Sequence, residues 1–195
     1  MIDPRSSSQL SDMGGHAIGG ETSGAVKFSS VYCTEFGFVV NSLRRLGVPS
    51  ADLEDLTHDV FITAFRRRGT YDPARPIRPW LFGIAFRLAS DFRHLVRHSR
   101  ESAIVRAVDP PDGARSPEES AALAQDRKLV LDAMQVIPLD RRAVFIMHDI
   151  EGTAIPEIAA ALGIPDGTAY SRLRQARIEF AETVRALRKE SGGDL

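Results

Sequence analysis

Apolar residues recur at three- and four-residue intervals from Phe28 onward, which is the period of amphipathic α-helices. No stretch shows the two-residue alternation typical of a half-buried strand. In the first hundred residues the pattern predicts three helices, over about 28–46, 52–68 and 80–98. Gly47 and Pro49 end the first helix, and the segment 69–79, which contains three prolines, is predicted to be a loop.

The apolar stripes of these helices define the expected core of the first half. Their members are Val31, Tyr32, Phe36, Val39, Val40, Leu43 and Leu46 in the first helix, Leu53, Leu56, Val60, Phe61, Ala64 and Phe65 in the second, and Leu81, Ile84, Ala85, Leu88, Phe92 and Leu95 in the third. Cys33 lies in the first helix and is expected to be a small buried hydrophobe. Because it is the only cysteine, no internal disulfide can form.

Two segments outside these runs have a different composition. Residues 1–27 are rich in Ser, Gly and Asp and have few apolar side chains, so we expect a disordered N-terminal tail. Residues 101–115 contain the sequence Asp109-Pro110-Pro111-Asp112-Gly113, which predicts a flexible linker.

A strong helix-start signal follows this linker. In Ser116-Pro117-Glu118-Glu119 the serine can cap a helix, the proline suits its first position and a glutamate stands three residues after the cap. This helix is expected to reach about Val136, where Pro138 interrupts it, and another is expected over about 140–150.

The chain then shows the pattern of a helix-turn-helix. Residues 157–162 predict a short helix, Gly163 suits the left-handed conformation of a tight turn, and Pro165 suits the start of a second helix. The second helix of such a motif enters the major groove of DNA. The predicted fold is therefore all-α, with two small helical domains (28–100 and 116–190) joined by the flexible linker and with the helix-turn-helix in the C-terminal domain.

The second helix of the motif divides into two faces. Its apolar face is formed by Ala169, Leu173, Ala176 and Phe180. Its polar side chains, which can hydrogen-bond to base edges or phosphates, are Tyr170, Ser171, Arg174, Gln175 and Arg177. An arginine-rich helix alone is more often a solvated surface, but the glycine turn and the small-residue helix before it favour DNA binding.

Charge is distributed unevenly, although the net charge is only −1. Nine arginines lie between Arg66 and Arg100, against Asp72 and Asp91 as the only carboxylates. An acidic cluster lies just upstream and consists of Asp52, Glu54, Asp55 and Asp59. Adjacent segments of opposite charge indicate two different partners.

Several classes of function are excluded by what the sequence lacks. It shows no phosphate-binding loop, no zinc-finger spacing and no paired nucleophile and base, so we predict no enzymatic activity, no catalytic residue, no metal and no cofactor. No apolar segment approaches membrane-spanning length and no signal peptide is evident. We therefore expect a cytoplasmic protein without membrane insertion.

Four segments occur in an informative order. They are residues 52–61 (DLEDLTHDVF), residues 78–85 (RPWLFGIA), residues 137–142 (IPLDRR) and the helix-turn-helix. In this order they resemble the bacterial RNA polymerase sigma factors of the sigma-70 family, in the extracytoplasmic-function (ECF) subfamily. The resemblance covers about residues 28–187.

The resemblance implies a transcription initiation factor that binds core RNA polymerase, recognises the −10 and −35 elements of promoter DNA and assists strand opening. It also implies that residues 28–100 are sigma region 2, that residues 116–190 are sigma region 4, and that an anti-sigma factor is a partner. The residues expected to bind core polymerase are Glu54, Asp55, His58 and Asp59. Those expected at the −10 element are Arg75, Arg78, Trp80, Arg87, Arg93 and Arg97. Those expected at the −35 element are Thr168, Tyr170, Ser171, Arg172, Arg174, Gln175 and Arg177, with Ser171, Arg174 and Gln175 at base edges and Arg172 and Arg177 at phosphates.

Four positions depart from the family pattern, of which His58, standing where Gln is common, is a tolerable change at a contact surface and the other three concern DNA. Arg87 stands where Asn is usual, Tyr170 replaces a cation that usually faces DNA, and Asp166 adds a negative charge near the phosphates. The change at Arg87 predicts an unusual base preference at the −10 element, and the changes at Tyr170 and Asp166 predict either an unusual −35 sequence or weaker DNA binding by the C-terminal domain. A second hypothesis is a helix-turn-helix regulator that binds an operator without core polymerase, but it leaves the acidic helix and the Trp80 segment without a role.

Overall fold

The computed structural model describes residues 28–99 and 117–191, and in these ranges the chain is helical with no strand. This confirms the all-α fold class. The N-terminal half consists of α1 (Phe28–Leu46), α2 (Leu53–Arg66) and α3 (Ile77–Ser99). The C-terminal half consists of α4 (Pro117–Val136), α5 (Leu139–Phe145), α6 (Ile155–Leu162) and α7 (Asp166–Ser191). The predicted tail, the predicted linker and the capping residue Ser116 lie outside the described residues.

Helices α1, α2 and α3 pack against one another through their apolar stripes. The core of this half includes Val39, Leu43, Val60, Leu81 and Ala85, all with no exposed surface. The helical period therefore located most of the core correctly.

Four positions expected in this core are exposed instead. Phe65 is 53% exposed, Leu95 is 70% exposed and Tyr32 is 37% exposed. Cys33 is exposed as well, so the expectation of a buried cysteine is wrong. All four lie near the ends of α1, α2 or α3 and away from the middle of the three-helix core.

The loop predicted over 69–79 is shorter than expected because α3 begins at Ile77. Pro79 lies within the first turn of α3, where its missing N–H would have had no helical acceptor. The ring of Tyr71 packs against Trp80 with centroids 5.2 Å apart, so this segment is anchored to the start of α3.

The helix-turn-helix is present as predicted. Gly163 has φ +70°, and the N–H of Ile164 donates to the carbonyl of Ala159 at 3.0 Å, which closes α6 in the manner of a left-handed C-cap. Helix α7 then buries Ala169, Leu173 and Ala176. A π-helical turn, Ile146–Ile150, extends α5 before the motif begins.

The two halves are in contact. Helix α6 lies on α3, and the C-terminal end of α1 lies against α4 and α5. A cleft of about 760 Å³ opens at this junction, with Phe86 and Arg93 of α3 on one side and Gln135 and Leu139 on the other.

Candidate functional site

The exposed face of α7 carries the polar side chains expected at DNA. Tyr170, Ser171, Arg174 and Gln175 are exposed, whereas Ala169, Leu173 and Ala176 of the same helix are buried. Within the described part of the chain, Arg174 makes no hydrogen bond or ion pair. Its guanidinium is therefore available for a bidentate contact with a base or a phosphate.

The two arginines expected at phosphates are held by carboxylates of the same half. Arg177 donates to both oxygens of Asp149, at 2.8 Å from Nε and 2.6 Å from Nη2. The hydrogen bond from Arg177 lowers the pKa of Asp149, and the same bond raises the pKa of Arg177. Arg172 lies 3.3 Å from the carboxylate of Asp140. These pairs connect α7 to α5 and to the π-helical turn, a connection that the sequence did not reveal because Asp149 is 28 residues from Arg177.

Thr168 and Ser171 contact each other at the start of α7. The hydroxyl of Ser171 donates to the carbonyl of Thr168 at 2.9 Å, and the side chain of Thr168 is half-buried. Ser171 therefore has its lone pairs free to accept from a base or water while its proton is used within the helix.

The arginines of the N-terminal half do not share one face. Arg78 and Arg87 are nine residues apart, or about 2.5 helical turns, so they lie on opposite sides of α3. Arg78 donates to Glu35 at 2.8 Å and lies over the ring of Phe38 at 5.2 Å. Arg87 donates to two backbone carbonyls, those of Gly83 at 3.2 Å and Ala161 at 3.3 Å.

The remaining residues expected at the −10 element differ in their surroundings. Arg75 is exposed and lies 3.5 Å from Asp72. Trp80 is half-buried beneath Tyr71, whose pKa is raised by burial and by the charge of Asp72. Arg93 is exposed and lines the cleft between the halves. The side chain of Arg97 lies outside the described residues.

The acidic residues expected at the polymerase lie together on the exposed side of α2. Glu54, Asp55, His58 and Asp59 are all exposed, and the His58 ring is parallel to that of Tyr32 with centroids 6.4 Å apart. Farther along the same side of α2 lie two exposed apolar residues, whose exposure was not predicted from the sequence. Ile62 is 48% exposed and Phe65 is 53% exposed.

The exposed side of α2 is therefore acidic at its N-terminal end and apolar at its C-terminal end. Asp55, Asp59 and Ile62 follow at intervals of four and three, which places them on one face. An apolar surface rimmed by charge is typical of a protein-binding site.

Comparison with known protein families matches both halves of this arrangement. Residues 35–101 match the family described as Sigma-70 region 2, and residues 127–179 match the family described as Sigma-70, region 4. The first range includes α2 and α3, and the second includes the helix-turn-helix.

Individual relatives carry the same description. The chain is 33% identical over 145 residues to the ECF RNA polymerase sigma factor SigL of Mycobacterium tuberculosis, covering 74% of this chain and 77% of SigL. It is 29% identical over 163 residues to the RNA polymerase sigma factor CarQ of Myxococcus xanthus, covering 84% of this chain and 92% of CarQ. A co-crystal structure of the sigma factor RpoE with the anti-sigma factor NepR from Bartonella quintana has a similar fold, with a TM-score of 0.61 and 18% identity over 81% of this chain and 96% of that one.

The fold and these matches define a bacterial transcription initiation factor, which directs RNA polymerase to promoters. Within that class, the chain belongs to the sigma-70 family and to its ECF group. The match to region 2 separates it from an operator-binding regulator, which would have no use for that region. Among the described helices, none combines the length and apolarity that a membrane span requires.

Proposed function

We propose that the exposed side of α2, with Glu54, Asp55, His58, Asp59, Ile62 and Phe65, is the surface that binds core RNA polymerase. The observation that carries this proposal is the difference in charge between neighbouring helices, since α2 has three carboxylates and one arginine whereas α3 has four arginines and one carboxylate. A carboxylate surface repels DNA phosphates, so it favours a basic protein partner. The exposed apolar residues next to it supply the area from which most binding energy comes.

The arginine-bearing surfaces bind the promoter. Arg75, Arg78, Trp80, Arg87, Arg93 and Arg97 contact the −10 element, where cationic and aromatic groups together hold unstacked bases. On α7, Arg174, Gln175 and Ser171 read base edges of the −35 element, assisted by Tyr170 and Thr168, while Arg172 and Arg177 contact phosphates. The carboxylates of Asp140 and Asp149 orient these last two arginines toward the duplex backbone.

A protein partner of the anti-sigma kind holds this factor in check, as NepR binds RpoE in the Bartonella complex. The factor acts in the cytoplasm, where polymerase and promoter are found. It carries out no reaction of its own, since its role is to position the polymerase on DNA.

The experiment that tests the polymerase surface is charge reversal with a matched control. An Asp55→Arg/Asp59→Arg variant changes the net charge as much as an Asp126→Arg/Glu182→Arg variant, and all four positions are exposed. In a pull-down with core polymerase, the first variant is expected to lose binding and the second to retain it. Equal retention by both variants would contradict the assignment of α2.

A further inference from the structure

The exposed face of α7 carries a row of side chains spaced four residues apart. Asp166, Tyr170, Arg174 and Ile178 are all exposed and follow one another at this interval, which places them along one face of the helix. A groove of about 630 Å³ lies on this face. Its lining residues are Gly167, Tyr170, Ser171, Arg174, Gln175 and Ile178. The row therefore presents one carboxylate, one guanidinium, one aromatic ring and one aliphatic side chain to a ligand.

Tyr170 is free of the contacts that hold α7 in place. Its side chain is 60% exposed, and it makes no hydrogen bond and no ring contact with any residue in the ranges 28–99 and 117–191. Gly167, one turn earlier, leaves the space beside it open, because a Cβ built there would meet nothing within 4 Å. A ligand can therefore cover the ring without displacing a contact of the fold.

Tyr170 also lies in the part of α7 that is suited to base contacts. It is the fifth residue of the helix, and in a helix-turn-helix the N-terminal residues of the second helix contact base edges. Ile178 lies about 12 Å farther along the helix axis, at ~1.5 Å per residue. Of the two apolar side chains in the row, Tyr170 is therefore the one placed to reach a base.

The chemistry of the major groove limits what this ring can recognise. Base pairs present hydrogen-bond donors and acceptors there, and the only apolar group among them is the C5-methyl of thymine. Packing of the ring on this methyl removes apolar surface from water, whereas packing on the other bases leaves a donor or an acceptor unpaired. An exposed aromatic side chain at this position therefore favours thymine.

Arg174 sets the distance at which this thymine is expected. Its unpaired guanidinium suits the two acceptors of guanine, and it lies about 6 Å from Tyr170 along the axis at ~1.5 Å per residue. One base step is about 3.4 Å, so the two side chains reach base pairs one or two steps apart.

The charge of the row also favours bases over phosphates. The carboxylate of Asp166 offsets the charge of Arg174, so the row has no net charge. Binding to phosphates depends on net positive charge, which this face lacks. Its contribution to binding is therefore expected to come from base edges, while Arg172 and Arg177 supply the phosphate contacts.

We propose that Tyr170 determines part of the −35 specificity, and that its ring packs on the C5-methyl of a thymine one or two base pairs from the guanine that Arg174 reads. The thymine can belong to either strand. This inference rests on the proposed function of α7 and adds to it the chemical group that the helix recognises.

Replacing thymine by deoxyuridine tests this contact, because it removes the methyl group and leaves every hydrogen-bonding group of the base pair in place. The −35 element is first defined from promoters that the wild-type holoenzyme selects from a genomic library. Each thymine of the element is then replaced singly, and the affinity of the holoenzyme for each duplex is measured by titration. Loss of one buried methyl group is expected to weaken wild-type binding about fourfold at one position.

Three variants separate the ring from its hydroxyl and from the rest of the row. Tyr170→Ala is expected to bind the thymine and deoxyuridine promoters equally. Tyr170→Phe is expected to keep the fourfold difference, because it lacks only the hydroxyl. Ile178→Ala is the matched control, since it removes an exposed apolar side chain of the same row, and it is expected to respond as wild type does.

Several results would overturn the proposal. They are a −35 element in which no thymine responds to deoxyuridine, a response that persists in Tyr170→Ala, and a response that Tyr170→Phe abolishes. The responding thymine must also lie within two base pairs of a position whose base preference Arg174→Ala relaxes, and a greater separation would overturn the arrangement. Failure of the proposed function is distinguishable, since the wild-type holoenzyme would then select no DNA and this inference would fall with it. Selected promoters with a −35 element but no deoxyuridine response would overturn this inference alone.

Discussion

Replacing Arg142 by Met perturbs the most completely buried charge in the described structure. Its guanidinium donates to the carbonyls of Leu46, Gln135 and Ile137 and to the side-chain oxygen of Gln135. No carboxylate pairs with it in the described part of the chain. Burial, assisted by the charge of Arg93, lowers the pKa of Arg142 to about 10, so it remains a cation at neutral pH.

Two opposing terms set the size of the effect. The buried carbonyls of Leu46 and Ile137 and the partly buried carbonyl of Gln135 lose a charged donor, and at about 2 kcal/mol each this costs roughly 6 kcal/mol. Removing the guanidinium also removes its own desolvation cost. The lowering of the Arg142 pKa to about 10 corresponds to about 3 kcal/mol at ~1.36 kcal/mol per pKa unit. The difference predicts that Arg142→Met lowers the free energy of unfolding by about 3 kcal/mol.

Urea unfolding followed by circular dichroism at neutral pH measures this change. Arg141→Met is the control, because Arg141 is partly exposed and its 3.0 Å ion pair with Glu179 contributes at most about 1 kcal/mol. A loss of less than about 1 kcal/mol in Arg142→Met would show that the carbonyls do not depend on Arg142, because water or a neighbouring donor satisfies them equally well.

Three further predictions concern the site. Arg174→Ala should change the base preference at one position of the −35 element, while Arg177→Ala should weaken binding to all DNA sequences alike and lower its salt dependence. Binding titrations of both variants against single-base promoter variants at two salt concentrations compare them, and equal weakening of every sequence by Arg174→Ala would make Arg174 a phosphate contact. Because Arg177 lowers the pKa of Asp149, the stability from this pair is present above the pKa of the unfolded state and is lost as pH falls through the pKa of the folded state. Wild type should therefore lose more stability than Asp149→Asn between about pH 5 and pH 2. Urea unfolding at a series of pH values measures this, and free energies of unfolding that fall in parallel with pH in the two proteins would contradict it. Phe65→Ser should weaken binding to core polymerase in a pull-down and change the free energy of unfolding by no more than about 1 kcal/mol, because the ring is half-exposed. Retained binding, or a large loss of stability, would show that the ring serves the fold.

Local features of the fold were predictable because they depend on single residues. A glycine followed by Ile-Pro predicts the turn of the helix-turn-helix, and Gly163 has the expected left-handed conformation. The buried and exposed sides of α7 follow directly from the helical period, with Leu173 buried and Arg174 exposed.

Features that depend on which helices meet were not predictable from period alone. The stripe of α2 is wider than its contact with α1 and α3, so Phe65 and Ile62 remain at the surface. The sequence showed that Arg142 belongs to a motif but not that it is fully buried, because its acceptors come from α1 and from the end of α4. The pairing of Arg177 with Asp149 likewise required the three-dimensional arrangement.

The central claim is that this chain gives core polymerase its choice of promoter. The most direct test is transcription from a genomic library by core polymerase with and without the protein, with the starts of the transcripts mapped. New starts are expected only when both are present, downstream of two shared elements about 25 base pairs apart at their centres, or roughly 85 Å of duplex. Binding of the protein to shared DNA sites without core polymerase, and no new transcript starts with it, would show that the chain does not direct the polymerase to promoters.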